Sequence, residues 1–104
     1  MEQLNRIELR GIVGNARTQT VGDQSVTRFS VATDYIYNSK DGVPIVETTW
    51  HNCSAWSSTA PDAEKLERGV GVHLTGRVRM QRYVDSDGND RTIYEVLVQS
   101  LKLI

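Results

Sequence analysis

Apolar residues recur along this chain mostly at every second position, the spacing of strands with one buried and one solvated face. From Leu4 to Val13, Ile7 and Leu9 alternate with Arg6, Glu8 and Arg10, and Gly11 and Gly14 then mark a bulge or a sharp bend. After the turn-like Val21-Gly22-Asp23-Gln24, a second run spans Ser25 to Asp34, with Thr27, Phe29 and Val31 on one face and Val26, Arg28 and Ser30 on the other. The stretch Tyr35 to Pro44 carries Asp41-Gly42, a strong hairpin signal, with Tyr35 and Tyr37 at its base; it predicts an aromatic hairpin arm. A third run, Ile45 to Trp56, is rich in β-branched and aromatic residues. Val70 to Val84 and Arg91 to Ile104 form the fourth and fifth, joined by the acidic turn Asp85 to Asp90.

One short helix is predicted between the third and fourth runs. Ser57, Ser58 and Thr59 offer caps, Pro61 suits the first turn, Asp62 and Glu64 favour its positive end, and Gly69 can end it. Five short strands without crossover helices point to a sandwich or a barrel. A helix between the third and fourth of five strands is the arrangement of the OB-fold, an all-β, five-stranded Greek-key barrel. An SH3-like barrel would not usually place a helix there.

The 104 residues make one domain, 1–104, with 38% apolar and 24% charged residues, a globular balance. No apolar run approaches the roughly 20 residues of a membrane span, and the opening residues lack the apolar block of a signal peptide. Cys53 is the only cysteine, so no internal disulfide or multi-thiolate zinc site forms, and a reducing cytoplasm is the expected compartment. Twelve basic residues stand against 13 acidic ones, which decides nothing about partners. Nine of the twelve are arginine, the better residue for phosphate forks and for stacking on bases.

Position says more than composition. On the third strand Trp50, Asn52, Ser54 and Trp56 share one face, while His51, Cys53 and Ala55 share the other; the small Cys53 and Ala55 suit a barrel interior. Both tryptophans therefore project from an otherwise polar face. A single outward tryptophan could merely close a barrel end, but two on one strand are harder to explain that way. On the fourth strand Arg77, Arg79, Gln81 and Tyr83 lie opposite Val72, Leu74, Gly76, Val78 and Met80. Arginines beside an aromatic combine phosphate contacts with a stacking platform, as single-stranded nucleic acid requires. A solvated charged face would explain the arginines but not Tyr83 among them.

Other chemistry fades on inspection. His51 and Cys53 share a strand face, yet nothing supplies an electropositive niche for a thiolate, so Cys53 reads as a small core residue. The Asp85–Asp90 turn has Gly88 in fourth place, where a calcium loop needs glycine sixth, and Val96 in the twelfth, where a glutamate belongs. No phosphate loop or metal-ligand cluster stands out. No catalytic residue, cofactor or metal is expected, and an enzyme is not the reading.

Asn5-Arg6-Ile7-Glu8-Leu9-Arg10-Gly11-Ile12-Val13-Gly14, Arg28-Phe29-Ser30-Val31-Ala32-Thr33, Thr49-Trp50-His51 and Gly76-Arg77-Val78-Arg79 together resemble, in order and spacing, the bacterial single-stranded DNA-binding protein family over nearly the whole chain. The resemblance implies stacking of bases on Tyr37, Trp50, Trp56 and Tyr83, and tyrosine where the family often has tryptophan keeps the π-face with less area. It implies a subunit contact at His51, hence a homotetramer, with a dimer as the alternative, and roles in DNA replication, recombination and repair. The chain stops at Leu101-Lys102-Leu103-Ile104, still strand-like, without the family's flexible linker and acidic tip. Two readings stay open, a sequence cut short of that tail or a short, tailless relative, and neither gives an expectation of tail-mediated recruitment for the residues at hand. The tailless primosomal replication protein, an adaptor that binds single-stranded DNA and a helicase, is the alternative relative. A sugar- or protein-binding OB-fold is the competitor from another class, and Arg77 and Arg79 beside Tyr83 count against it.

Overall fold

The first two strands run further than alternation alone marks, because hydrogen-bonded partners carry them past glycine and polar stretches. The computed structural model describes residues 1–104, with β1 at Ile7–Val21, β2 at Gln24–Asn38, β3 at Pro44–Trp56, a 3-10 turn at Pro61–Lys65, β4 at Gly71–Val84 and β5 at Asp90–Leu103. Gly14 does not end β1; a register shift between Val13 and Ala16 absorbs the bend, and pairing with β2 continues to Val21 opposite Gln24. Gly42, at φ +77°, closes the β2–β3 hairpin at the expected place, a conformation that glycine adopts without strain.

The strands close in the order β1-β2-β3-β5-β4, with β4 pairing back onto β1. Every pairing is antiparallel except the β3–β5 seam, which is parallel and spans Cys53 beside Val96 and Ser54 beside Leu97. This is the expected all-β, five-stranded barrel. Its interior holds Leu9, Val13, Phe29, Val31, Cys53, Ala55, Val72, Leu74, Val96 and Val98. Phe29 is the one aromatic ring among them, and its neighbours across β1 and β3 are the small Ala16 and Cys53. Small residues on both sides leave the ring its volume, the large–small alternation that close packing demands.

The expected short helix is present as one 3-10 turn, but its caps differ. No side chain caps it; Ala60 precedes it and Leu66, not Gly69, ends it. Ser57 Oγ instead accepts a hydrogen bond from the Ser25 backbone N–H at 3.0 Å, tying the β1–β2 hairpin to the end of β3. The reason lies in the spacing of the apolar positions. Ala60, Ala63 and Leu66 are all buried in the core and recur every three residues, the period of a 3-10 helix rather than of an α-helix.

Candidate nucleic-acid interface

Strand register assembles the outer face. Arg17 lies opposite Arg28, Arg28 opposite Ser54, Ser54 beside Leu97, and Leu97 opposite Arg77. Directly opposed residues share a face, so Arg17, Arg28 and Arg77 stand on one row running around the barrel. Trp56 lies two residues beyond Ser54 on β3 and Trp50 four before it, so both tryptophans share this face with the row. Arg79, Gln81 and Tyr83 follow Arg77 along β4 on the same side. The outward set picked from alternation thus shares one side of the sheet.

The environments differ from residue to residue. Trp50 is 58% exposed, with one edge so close to Gly14 that a Cβ there would collide with the ring. Arg68 flanks the same cleft and donates from Nε to the Gly14 carbonyl oxygen at 2.9 Å. Trp56 is only half-buried where full projection was expected, because Val26, directly opposite it on the same face, is 1% exposed. Ser54 is likewise buried rather than solvated. Tyr83 is exposed near the tip of the β4–β5 hairpin, opposite Arg91.

Tyr37 is not brought to this face. It pairs with Ile45, and Ala32, five residues earlier, pairs with Trp50; an odd separation puts Tyr37 on the opposite side of the β2–β3 arm. Its ring centroid lies 6.0 Å from that of Tyr35, so the two tyrosines form their own aromatic surface. His51 is half-buried opposite Val31, and its Nε2 lies 2.9 Å from Thr33 Oγ1.

Arg79, an expected phosphate ligand, is paired with a carboxylate on the neighbouring strand. Its Nε and Nη2 both donate to Glu95 Oε1, while Ser54 Oγ donates to Glu95 Oε2 at 2.8 Å. Burial works against the ionised Glu95 carboxyl, but the hydrogen bonds from Arg79 and Ser54 outweigh it and hold the group below its ordinary value of 4.5. A carboxyl depressed in the folded state adds stability above its unfolded value, and that stability is lost as pH falls through the folded value. Glu95→Gln is therefore expected to flatten the loss of stability on acidification below about pH 4.5. Urea unfolding between pH 3 and 7 measures it, and an unaltered acid limb in the variant would count against the pair.

Ion pairs join Lys65 to Asp62, His73 to Glu8, Arg79 to Glu95 and Arg91 to Asp85. Arg17, Arg28, Arg77 and Arg82 have no carboxylate partner. Asp85 also accepts the backbone N–H groups of Asp87 and Asn89, each at 2.9 Å, which lowers its pKa after the larger effect of Arg91 and makes the acidic segment a hairpin turn.

Cys53 points into the core. Burial, and secondarily the charge of Glu95, pushes its thiol up to about 12. Its Sγ approaches the backbone oxygen of His51 at 3.7 Å, so the shared strand face creates no thiolate–imidazole pair. A disulfide reagent at pH 8 should leave the folded protein unmodified and titrate one thiol on unfolding; rapid native labelling would contradict the burial.

Sequence reasoning missed four residues here. Arg17 lies beyond Gly14, where the sequence marks a bend, and Arg28 reads as a polar alternate of β2 and part of a family-like segment with no assigned role. Arg68 sits in a connection that alternation does not place. Tyr94 lines a small cleft with Ile7, Trp50 and Val78, and its only sequence signal was an aromatic on the fifth run.

A family model described as the single-strand binding protein family matches residues 4–104. The chain belongs to that family. A single-stranded DNA-binding protein of Neisseria meningitidis serogroup A is 32% identical over 105 residues, covering 97% of this chain and 60% of the relative. One from Xylella fastidiosa strain Temecula1 is 26% identical, covering 97% and 63%. This chain thus spans about three fifths of the length of these curated relatives. Among solved structures, a Plasmodium falciparum SSB in complex with ssDNA superposes with a TM-score of 0.87 at 21% identity, covering 100% of this chain and 97% of that one. A single-stranded DNA-binding protein variant from Thermus aquaticus gives 0.77 at 18%, covering 97% and 50%. At these identities the two structures establish the OB-type barrel of the family.

Proposed function

We propose that this chain binds single-stranded DNA without sequence preference, stacking bases on Trp50, Trp56 and Tyr83 while arginines contact the phosphates. The observation that carries this reading is the shared outer face, where the exposed rings of Trp50 and Tyr83 stand with Arg17, Arg28 and Arg77, whose guanidinium groups have no carboxylate partner. Every base has a π-face, so stacking tolerates any sequence, while duplex bases are already stacked on one another. Arg77 supplies a phosphate contact on β4, Arg79 acts through Glu95, and Tyr37 engages the strand from the far side of the arm. Binding protects single strands during replication, recombination and repair in the cytoplasm, and no chemical step is part of the activity. No helix is long and apolar enough to cross a membrane.

The assembled form in this reading is a homo-oligomer, a tetramer in first place. Supporting it are the half-buried His51 at the barrel wall and the exposed Tyr35, Ile36, Val43 and Val46 on the arm, more apolar surface than one barrel covers. Titration with single- and double-stranded oligonucleotides, alongside light scattering, tests both parts. Equal affinity for duplex and single strand would overturn the binding mode, and a monomer at micromolar concentration would remove the oligomer.

A further inference from the structure

Trp50 and Trp56 are six residues apart on β3, about 20 Å along an extended strand. A single strand with bases stacked on both must carry its backbone over the surface between them. Ser54 lies in that interval, and the row through it places Arg28 alongside and Arg17 one strand further.

Two features mark this arginine pair. First, both side chains are exposed and neither meets a carboxylate; the side-chain hydrogen bond of Arg28 goes to Gln19 Oε1 at 3.1 Å, and Arg17 makes none. Like charges directly opposite each other on a sheet disfavour the fold, and an anion between them relieves that repulsion. Second, the pair borders an open groove of about 480 Å³ that also exposes Asn15, Asn52 and Gln81. The one carboxylate lining the groove, Glu95, feels the charge of Arg28 but is bonded elsewhere, Arg79 holding one of its oxygens and Ser54 the other, so neither arginine of the pair is tied to it.

We propose that Arg17 and Arg28 together form a subsite for an internucleotide phosphate, gripping the stretch of strand that crosses from Trp50 to Trp56. Two guanidinium forks converging from neighbouring strands match the tetrahedral oxygens of a phosphodiester better than one does. Arg79 plays another part, since it makes the direct ion pair with Glu95, to which Arg28 is not bonded. The inference rests on the single-strand reading above.

The test is titration of the full chain with oligothymidylate over a series of salt concentrations, followed by tryptophan fluorescence. Each lost phosphate contact lowers the slope of log affinity against log salt by roughly 0.7 for a single strand. Arg17→Gln with Arg28→Gln is expected to lower the slope by about that amount, with tryptophan quenching at saturation retained. Lysine at both positions should preserve the slope. Arg17→Gln alone disturbs no side-chain bond, and it should lower the slope in part, which covers a failure of the double variant to fold. An unchanged slope in the glutamine variants of a protein that binds, or a lysine variant no better than glutamine, would overturn the subsite. Wild-type protein that binds no oligonucleotide would instead remove the single-strand reading, and the subsite with it.

Discussion

Replacing Trp50 with alanine is expected to weaken binding of a pyrimidine oligonucleotide about ten-fold or more. Trp50 is the most exposed of the aromatics on the arginine-bearing face, and its ring is braced along one edge by the backbone at Gly14. A braced ring loses little freedom when a base lies on it, so most of the stacking free energy appears as affinity. Stacking is worth roughly 1–3 kcal/mol per base, about five-fold to more than a hundred-fold in affinity, and the ten-fold figure lies within the lower part of that range. Trp50→Phe keeps a smaller π-face in the same place and should recover part of the loss. Trp56→Ala should cost less binding and more stability, because Trp56 is half-buried opposite Val26. Equal affinity in wild type and Trp50→Ala would show that the strand runs elsewhere. Duplex affinity should hardly change in any of these variants.

Phe29→Ala is expected to remove about 3–5 kcal/mol of folding stability, the usual cost of deleting a buried ring. Phe29 is 3% exposed and is the one ring in a core otherwise made of valine, alanine, leucine and cysteine. Ala16 and Cys53, its lateral neighbours, are too small to collapse into the space it would leave. Domains of this size are stable by about 5–15 kcal/mol in total, so the variant should be close to unfolding at physiological temperature. Urea denaturation with an unchanged slope measures the difference. A loss below about 1 kcal/mol would mean that the barrel closes over the gap, contrary to the close packing of protein cores. Phe29 also lines the groove beside Arg17 and Arg28, so the same change should weaken single-strand binding where the protein remains folded.

Local alternation carried the barrel, the order of its elements and the outward direction of Trp50, Arg77 and Tyr83, because side-chain direction in a strand follows from parity alone. It also placed Cys53 and Ala55 inside, where they are. Parity cannot say what lies beside a residue on the next strand. Val26 and Ser54 read as solvated by alternation but are buried, because their cover comes from β3 and β5 respectively: Trp56 opposite Val26, and Glu95 bonded to Ser54. Tyr37 illustrates the same limit, since its side of the arm depends on a register set across the hairpin.

Charge shows the division most clearly. Nine arginines are visible in the chain, but which of them are free is a matter of pairing between distant positions. Arg79 and Glu95 are 16 residues apart and meet only because β4 and β5 align them. Arg17 and Arg28 meet because β1 continues past its bulge and brings two like charges to the same rung. The helix between β3 and β4 was legible as an element, while its 3-10 form follows from burying Ala60, Ala63 and Leu66 together at the foot of the barrel. Periodicity is a property of neighbours along the chain and is written there in full. Register, burial of an outward residue and neutralisation of a charge are properties of neighbours across it, and they exist only once the barrel has closed.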